Sequence, residues 1–280
     1  MTSTNYSADE VDERWKVAPG ESRTIEIAAP HKLRIGVIGG RLDIVGTDEE
    51  QARIEVHSVT GIDLLVEFDG RTLRIDHPRK NWEGLKGFAQ WIGKGPKVDL
   101  SIAVPRAVAL SLAQVNAEIL VSELEGKATI NTVSGDVQLD GHRGNVEFNS
   151  VSGDLEASDQ HGELTAHTTS GSVTASGALR DVSIDSVAGT VMLDITGDPK
   201  TVGLNSVSGD ATLRFDQGLP VRGSLRSIGA RATIDGVVVE RSNGIARFGS
   251  TGVVIDMNSV TGGLTVLRRA GAARAAGDER

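Results

Sequence analysis

Apolar and polar residues alternate in short runs along most of this chain, and a glycine follows nearly every run. In the middle of the chain such runs contain Ala128 and Ile130, then Val137 and Leu139. Alternation over four or five residues is typical of a β-strand with one buried face, and the glycines indicate turns between strands. The pattern therefore predicts many short strands joined by tight turns.

The turns recur at a nearly fixed spacing. A pattern of the form Ser-Val-Ser-Gly-Asp-Val has its glycine at five positions, in three equal steps of eighteen and a last step of twenty: Gly135, Gly153, Gly171, Gly189 and Gly209. A later copy surrounds Gly262, and Gly126 and Gly144 mark a half-period of nine. A unit with two short strands cannot bury its apolar face alone, so it must stack on its neighbours. The sequence therefore predicts an all-β fold, a single-stranded parallel β-solenoid (β-helix) with 18-residue coils.

Stacked coils place equivalent residues above one another. One predicted interior ladder alternates large and small side chains, which fills a thin core without voids: Ile130, Phe148, Ala166, Ile184 and Leu204. The next position predicts a polar ladder: Asn131, Asn149, His167, Asp185 and Asn205. We interpret this ladder mainly as stacked amides with a structural role, and a ligand groove is the alternative.

The five repeated glycines are predicted to be structural turn residues. Glycine adopts a positive φ at little cost, and a neighbouring Ser or Asp can bond to its own backbone. Asp136, Asp154 and Asp210 could instead form an acidic row that binds calcium. Only one glycine precedes each of these aspartates, and other residues interrupt the row. Turn capping is therefore the favoured interpretation, and no metal site is predicted.

Residues 78–97 interrupt the strand pattern. This segment contains three of the nine aromatic residues and an excess of lysine and arginine. Asn81 could cap a short helix and Gly93 could end it. Trp82, Leu85, Ala89 and Ile92 would then share one helical face, with Phe88 beside them. The five apolar residues predicted to make an interaction are Trp82, Leu85, Phe88, Trp91 and Ile92. The favoured interpretation is a helical insertion that covers the solenoid, and the alternative is a basic amphipathic element that contacts a membrane surface or a partner.

The ends of the chain are less regular than its middle. We predict a disordered N-terminal segment over residues 1–20, irregular β-coils over 21–110 and a regular solenoid over 111–266. Residues 267–280 are rich in Ala, Gly and Arg and are predicted to be a disordered tail. Residues 21–266 are interpreted as one continuous domain whose ends need caps against edge-to-edge aggregation.

Composition excludes several classes of function. The 280 residues include no cysteine, which removes disulfides and cysteine-based chemistry. The net charge of −9 argues against nucleic-acid binding. Neither a secretory signal nor an apolar run of membrane-spanning length is recognised, so the predicted location is the cytoplasm, with peripheral membrane association as a further option. The six histidines lack a metal-ligand spacing, and no nucleophile motif is found.

The repeats, entered through Val98 to Pro105, resemble a bacterial β-strand-repeat family labelled "putative adhesin". The resemblance covers roughly residues 33–266. It implies a β-solenoid whose function is uncharacterised, and it brings no catalytic residues with it.

The sequence thus favours a non-enzymatic β-solenoid that acts as a scaffold or interaction protein, without cofactor or metal. A protein partner or self-association is expected, and a membrane surface could be contacted through residues 78–97. One alternative is an envelope-associated or adhesin-like binder of a membrane surface or polysaccharide. A more remote alternative is a carbohydrate-active enzyme with two carboxylates in a groove.

Overall fold

The computed structural model describes residues 13–78 and 95–269, and their regular elements are all β-strands. The all-β prediction is confirmed. Nearly all of the predicted insertion at 78–97, with its five apolar residues, lies outside the described residues. Within the described ranges, no helix has the length and apolar character needed to cross a membrane.

The strands are numbered in chain order. The first eight strands are β1 (Glu13–Val17), β2 (Arg23–Ala28), β3 (Lys32–Thr47), β4 (Gln51–Thr60), β5 (Leu64–Phe68), β6 (Thr72–Asp76), β7 (Lys97–Pro105) and β8 (Ala109–Ser122). The repeats form β9 (Ala128–Thr132), β10 (Val137–Asp140), β11 (Val146–Ser150), β12 (Leu155–Ser158), β13 (Gly162–Thr168), β14 (Val173–Gly177), β15 (Leu179–Ser186), β16 (Val191–Ile195), β17 (Thr201–Ser206) and β18 (Ala211–Phe215). The last strands are β19 (Val221–Ser227), β20 (Ala232–Ile234), β21 (Val237–Val239), β22 (Arg241–Ser242), β23 (Ile245–Phe248), β24 (Val253–Ser259) and β25 (Leu264–Arg268).

Strand pairing separates these elements into two sheets that share the long strands β3 and β8. We call sheet A the series β1, β5, β6, the first half of β3, the first half of β8, β9, β11, β13, β15, β17, β24, β19, β23 and β22. We call sheet B the series β2, β4, β7, the second half of β3, the second half of β8, β10, β12, β14, β16, β18, β25, β20 and β21. The repeats therefore alternate between the sheets, with one strand in A and the next in B.

In the repeats, each strand pairs in parallel with the strand two places further along the chain. Ile130 lies opposite Phe148, and Phe148 lies opposite Ala166. Both sheets contribute to one core cluster that extends from Val17 to Val266. Phe148 is fully buried between its smaller neighbours Ala166 and Ile130, because alternating side-chain sizes let closely spaced sheets pack without voids.

At both ends of the molecule the order of stacking departs from the order of the chain. Strands β24 and β25 lie between the β17/β18 coil and the earlier β19/β20 coil. At the other end, β3 lies between β8 and the β6/β7 coil. The outermost strands then pair in antiparallel fashion, as β1 does with β5 and β21 does with β20. These antiparallel strands end both sheets.

The repeated glycines have a different cause from the predicted one. None of the five has a positive φ. Each instead lies directly over a backbone carbonyl of the neighbouring coil, so that a Cβ on Gly153 would sit 2.2 Å from the oxygen of Gly135. The same close approach continues through Gly171, Gly189 and Gly209. Glycine is required here because the backbones of successive coils leave no room for a side chain.

Candidate functional site

A long shallow groove runs along the edge of sheet A, where each strand turns toward sheet B. Its volume is about 760 Å³. Five coils contribute three consecutive residues to it, while the first coil contributes Asn131 and Thr132 and the β19 coil contributes Arg226. Corresponding positions of successive coils form three parallel columns. The polar column consists of Asn131, Asn149, His167, Asp185, Asn205, Asn258 and Arg226.

The polar column is linked internally by hydrogen bonds between coils. Asn258 Nδ2 donates to Asn205 Oδ1 at 2.9 Å, and Asn205 Nδ2 donates to Asp185 Oδ1 at 2.7 Å. His167 Nδ1 lies 2.9 Å from Asp185 Oδ2 on the opposite side. Arg226 donates to Asn258 Oδ1 at 3.3 Å. Two donors therefore converge on the Asp185 carboxylate, which fixes the orientation of the side chains around it.

At the other end of the column a separate pair is formed. Asn149 Nδ2 donates to Asn131 Oδ1 at 3.1 Å, between adjacent coils. An Asn amide has two N–H donors and two acceptor sites, so a single contact along the column leaves hydrogen-bonding capacity for the solvent side. The column is thus ordered, and its amides keep donors and acceptors that are not used along the column.

Hydroxyl side chains form the second column and hold the turns in place. Thr132 Oγ1 accepts the N–H of Gly135 at 3.0 Å, and Ser150 Oγ accepts the N–H of Gly153 at 2.8 Å. The same three-residue spacing recurs from Ser259 to Gly262 at 2.7 Å. Most of these hydroxyls are buried, and those of Thr132, Ser150 and Ser259 connect the end of a strand to the turn that follows it. Ser186 Oγ is buried without a hydrogen-bond partner in the part of the chain that the structure describes.

Exposed branched side chains form the third column, which we call the apolar column: Val133, Val151, Val187, Val207, Val260 and Ile228, with Thr169 in one coil. The five valines are between 43% and 50% exposed, and Ile228 is 83% exposed. Most of the exposed large apolar residues in the described part of the chain therefore lie in one line beside the polar column. A continuous exposed apolar strip is typical of an interaction surface.

The structure brings together all five residues of the predicted polar ladder and places them in a groove. Sequence reasoning missed Asn258, Arg226 and the apolar column. Asn258 stands four residues before Gly262, which is the spacing of Asn131 from Gly135, so alignment of the last repeat could have found it. Arg226 has no such signal, because its coil has Ala230 at the glycine position and is stacked out of chain order.

The aspartates beside the glycines bind the backbone of the next coil. Asp136 Oδ1 accepts the N–H of Asp154 at 3.1 Å, and Asp154 Oδ1 accepts the N–H of Ser172 at 2.7 Å. These contacts support the capping interpretation, although the capped group belongs to the neighbouring coil. No three His, Cys, Asp or Glu side chains in residues 13–78 and 95–269 are grouped to hold a metal ion.

A buried polar pair lies at the opposite turn of the same coils. His142 is fully buried, with Nε2 donating to Gly126 O at 2.9 Å and Nδ1 lying 3.0 Å from Gln160 Oε1. Gln160 Nε2 donates to Gly144 O at 2.7 Å. Burial lowers the pKa of His142, while its contacts with Gln160 and Gly126 oppose that shift. Burial likewise lowers the pKa of His77.

Comparison with models of known protein families identifies the family of this chain. A family model described as Toastrack DUF4097 matches residues 31–266, which is most of the chain. This chain belongs to the Toastrack family. No curated protein sequence matches it.

Solved structures similar to this Toastrack chain have low sequence identity to it. A "putative lipid binding protein" from Parabacteroides distasonis is 13% identical, with 90% of this chain and 98% of that chain covered and a TM-score of 0.50. A "putative adhesin" from Parabacteroides merdae is 13% identical over 90% and 97% of the two chains, with a TM-score of 0.34. A "putative cell adhesion protein" from Clostridium sporogenes is 12% identical over 89% and 100%, with a TM-score of 0.28.

The Toastrack match supports the predicted resemblance to a bacterial β-strand-repeat family. The Ser-Gly-Asp-Val repeat as a signature of that family stays a prediction. The five predicted interaction residues, Trp82, Leu85, Phe88, Trp91 and Ile92, lie outside the described residues, so their role also stays a prediction.

Proposed function

We propose that this protein is a non-enzymatic binding scaffold that holds an elongated partner along the groove of sheet A. The apolar column carries this proposal. An exposed line of valines next to a line of hydrogen-bonding side chains offers one long surface with both apolar and polar contacts, as binding sites require.

The scaffold itself is proposed to be a β-solenoid with 18-residue coils and two strands per coil. The parallel register between β10 and β12 and between β11 and β13 supports this description. Stacking repeats the same three groove residues at the spacing of paired strands, about 4.8 Å. A rigid periodic surface of this kind suits a binding role because its side chains are already positioned before the partner arrives.

The proposed binding role of the groove is tested by placing positive charge in the apolar column. Immobilised wild-type protein, Val187→Arg/Val207→Arg and Met192→Arg are incubated with cytosolic, membrane and cell-wall fractions, and the captured material is weighed and analysed. Met192 is the matched control, since it is 49% exposed and lies on a strand of sheet B away from the groove. We expect the wild type and Met192→Arg to capture the same material and the double variant to lose it. Equal capture by all three proteins, or by none, contradicts the proposal.

The same fractions address the predicted partners and location. Immunoblotting of the fractions tests the predicted cytoplasmic location directly. Light scattering of the purified protein tests self-association, which would be expected to weaken in Val187→Arg/Val207→Arg if a second copy occupies the groove.

A second candidate is an envelope-associated binder of a membrane surface or polysaccharide. The polar column favours the polysaccharide version, because unspent amide donors and acceptors complement hydroxyl groups. Flotation with anionic vesicles tests the membrane version, and Trp82→Ala/Trp91→Ala is the variant that should abolish flotation.

A catalytic role is not part of the proposal. His167 and Asp185 form the kind of pair found in hydrolytic triads, but in the described residues no Ser or Thr hydroxyl is hydrogen-bonded to His167. Assays with polysaccharide substrates test the carbohydrate-active alternative, and release of reducing ends by the wild type would contradict a purely binding role.

A further inference from the structure

The chemistry of the polar column indicates what kind of partner the groove accepts. Seven coils contribute to it, and six steps of about 4.8 Å give a length of about 29 Å. A site of this length, lined by corresponding positions of successive coils, suits an occupant that is itself linear.

Hydrogen-bonding capacity points to hydroxyl groups. Asn205 and Asn258 each use one N–H and one oxygen along the column, which leaves a second N–H on each amide. The Asp185 carboxylate is an acceptor between them and His167. A sugar hydroxyl both donates and accepts, so neighbouring hydroxyls on one ring can bond to this mixture of donors and acceptors.

Charge argues against polyanions. The polar column carries one carboxylate, Asp185, and one guanidinium, Arg226, so the two charges offset each other. The whole chain has a net charge of −9. A nucleic acid or an anionic lipid surface requires a cluster of basic side chains, and the described residues that line the groove include only one arginine and no lysine.

The apolar column indicates which apolar groups of a ligand the groove can contact. Val151, Val187 and Val207 are about half exposed, so they form a low ridge and do not enclose an acyl chain. A ridge of methyl groups can instead contact the C–H face of a sugar ring, while the polar column binds its hydroxyls. No Trp, Tyr or Phe stands among the described groove residues, so each sugar would bind weakly and affinity would depend on many coils acting together.

We propose that the groove binds a neutral, extended polysaccharide along the coil axis, with one sugar residue over each coil. This inference rests on the proposed binding role of the groove and names its ligand class. A β-1,4-linked hexose chain is extended and advances per sugar by slightly more than one strand spacing, with successive rings facing opposite ways. It can therefore follow the coil axis and repeat its contacts at every second coil. A coiled α-1,6-linked polymer such as dextran is not extended in this way.

Affinity electrophoresis tests this assignment. Native gels contain no polymer, glucomannan (neutral, β-1,4-linked), dextran (neutral, α-linked) or polygalacturonate (anionic). We expect glucomannan to slow the wild type at least twofold, while dextran and polygalacturonate leave its mobility unchanged. Asn205→Ala/Asn258→Ala and Val187→Arg/Val207→Arg should migrate in glucomannan gels as they do without polymer, and Met192→Arg should be slowed like the wild type.

Three outcomes would overturn the assignment: equal wild-type mobility with and without glucomannan, retardation that both groove variants retain, or retardation by polygalacturonate alone. Thermal unfolding of each variant confirms that it is folded before the gels are interpreted. If Val187→Arg/Val207→Arg loses material captured from cell fractions while glucomannan has no effect on the wild type, the groove binds a partner of another class. In that case the ligand assignment fails and the proposed binding role stands.

Discussion

At the scale of single residues, the repeated glycines are constrained by close backbone approach and not by the positive φ that the sequence predicts. The backbone at these positions has an ordinary φ, and the constraint comes from the coil beneath. By contrast, Gly144 and Gly162, at the half-period, do have positive φ values of 152° and 131°. At Gly144 and Gly162 glycine is therefore required both by the φ angle and by the same close approach, since a Cβ on Gly162 would sit 2.5 Å from the oxygen of Gly144.

Gly153→Ala tests the close-approach explanation. The new Cβ would be 2.2 Å from the oxygen of Gly135, so two coils must separate, and we expect a loss of about 3 kcal/mol or more in the free energy of unfolding. Gly229→Ala is the matched control, because its Cβ would meet no atom within 4 Å and its φ is not positive. Chemical denaturation of both variants provides the comparison, with Ser152→Ala as a mild third variant. Equal stability of Gly153→Ala and Gly229→Ala would refute the explanation.

His142 predicts a pH dependence of stability. Its pKa is lowered in the folded protein, so the unfolded chain takes up a proton near the usual value of about 6.5 while the folded protein does not. The stability contribution is therefore complete above about pH 6.5 and is lost as the pH falls below it, by at most about 1.4 kcal/mol per pH unit. Denaturant unfolding between pH 7.5 and 5 should show this slope.

His142→Gln should reduce the slope, and part of it should persist because the pKa of His77 is lowered in the same direction. The exposed Gln138 provides the control, since Gln138→Ala removes no titratable group and should leave the slope unchanged. Identical pH profiles for the wild type and His142→Gln would contradict a buried neutral histidine.

At the scale of elements, the order of stacking matters more than the order of the chain. Strands β24 and β25 are the last strands in sequence but are interior members of sheets A and B. Arg269, just after β25, is ion-paired with Asp194 and Asp216, which ties this end of the chain to the preceding coils. The Arg214 and Arg269 side chains beside Asp194 lower the pKa of its carboxyl.

A truncation after Gly249 should therefore damage the molecule far more than loss of a terminal repeat normally does. It removes both interior strands, exposes the edges of β17 and β18 and leaves β19 and β20 without their parallel partners. We expect an insoluble chain or a fall of more than 15 °C in melting temperature. A truncation after Arg269 keeps every described strand and should melt within about 2 °C of the full chain. Similar melting of the two truncations would contradict the interior placement.

At the scale of the whole molecule, stability is distributed along a stack in which the described strands contact mainly the strands next to them. Coils in the middle form backbone hydrogen bonds with a coil on each side. Their amides therefore exchange with solvent only when a neighbouring coil also unfolds locally. The antiparallel strands at the ends, such as β1 and β21, have fewer partners. The protection of backbone amides against hydrogen exchange should therefore decrease from the middle of the stack toward both of its ends.

Hydrogen exchange measured by mass spectrometry tests this gradient. Peptides from residues 128–215 should exchange slowly, and peptides from 232–248 should exchange at least tenfold faster. The critical peptide covers 253–268, which should exchange as slowly as 201–215 despite being near the end of the chain. Fast exchange of 253–268, at the rate of 232–248, would show that the stack does not hold β24 and β25 in its interior.

The sequence by itself determined the all-β class of this protein and the pairing of interior residues such as Ile130 and Phe148. A short, regular repeat with alternating apolar positions leaves few ways to bury its apolar faces, so Ile130 and Phe148 could be paired without coordinates. The repeat also predicted five of the seven residues in the polar column, because residues that are equally spaced along the chain lie above one another in the stack.

Only the tertiary structure decided where the period breaks and what the groove contains. The swapped position of β24 and β25 follows from pairing between segments that lie far apart in the chain, as Thr201 and Val254 do, and no local pattern encodes it. Arg226 is part of the polar column because its strand, β19, pairs with β24, which places Arg226 opposite Asn258. The exposure of the apolar column could not be predicted from the sequence either. A valine in a turn has the same sequence context whether its methyl groups face the core or the solvent. Contacts between distant segments, and not local propensity, set these features.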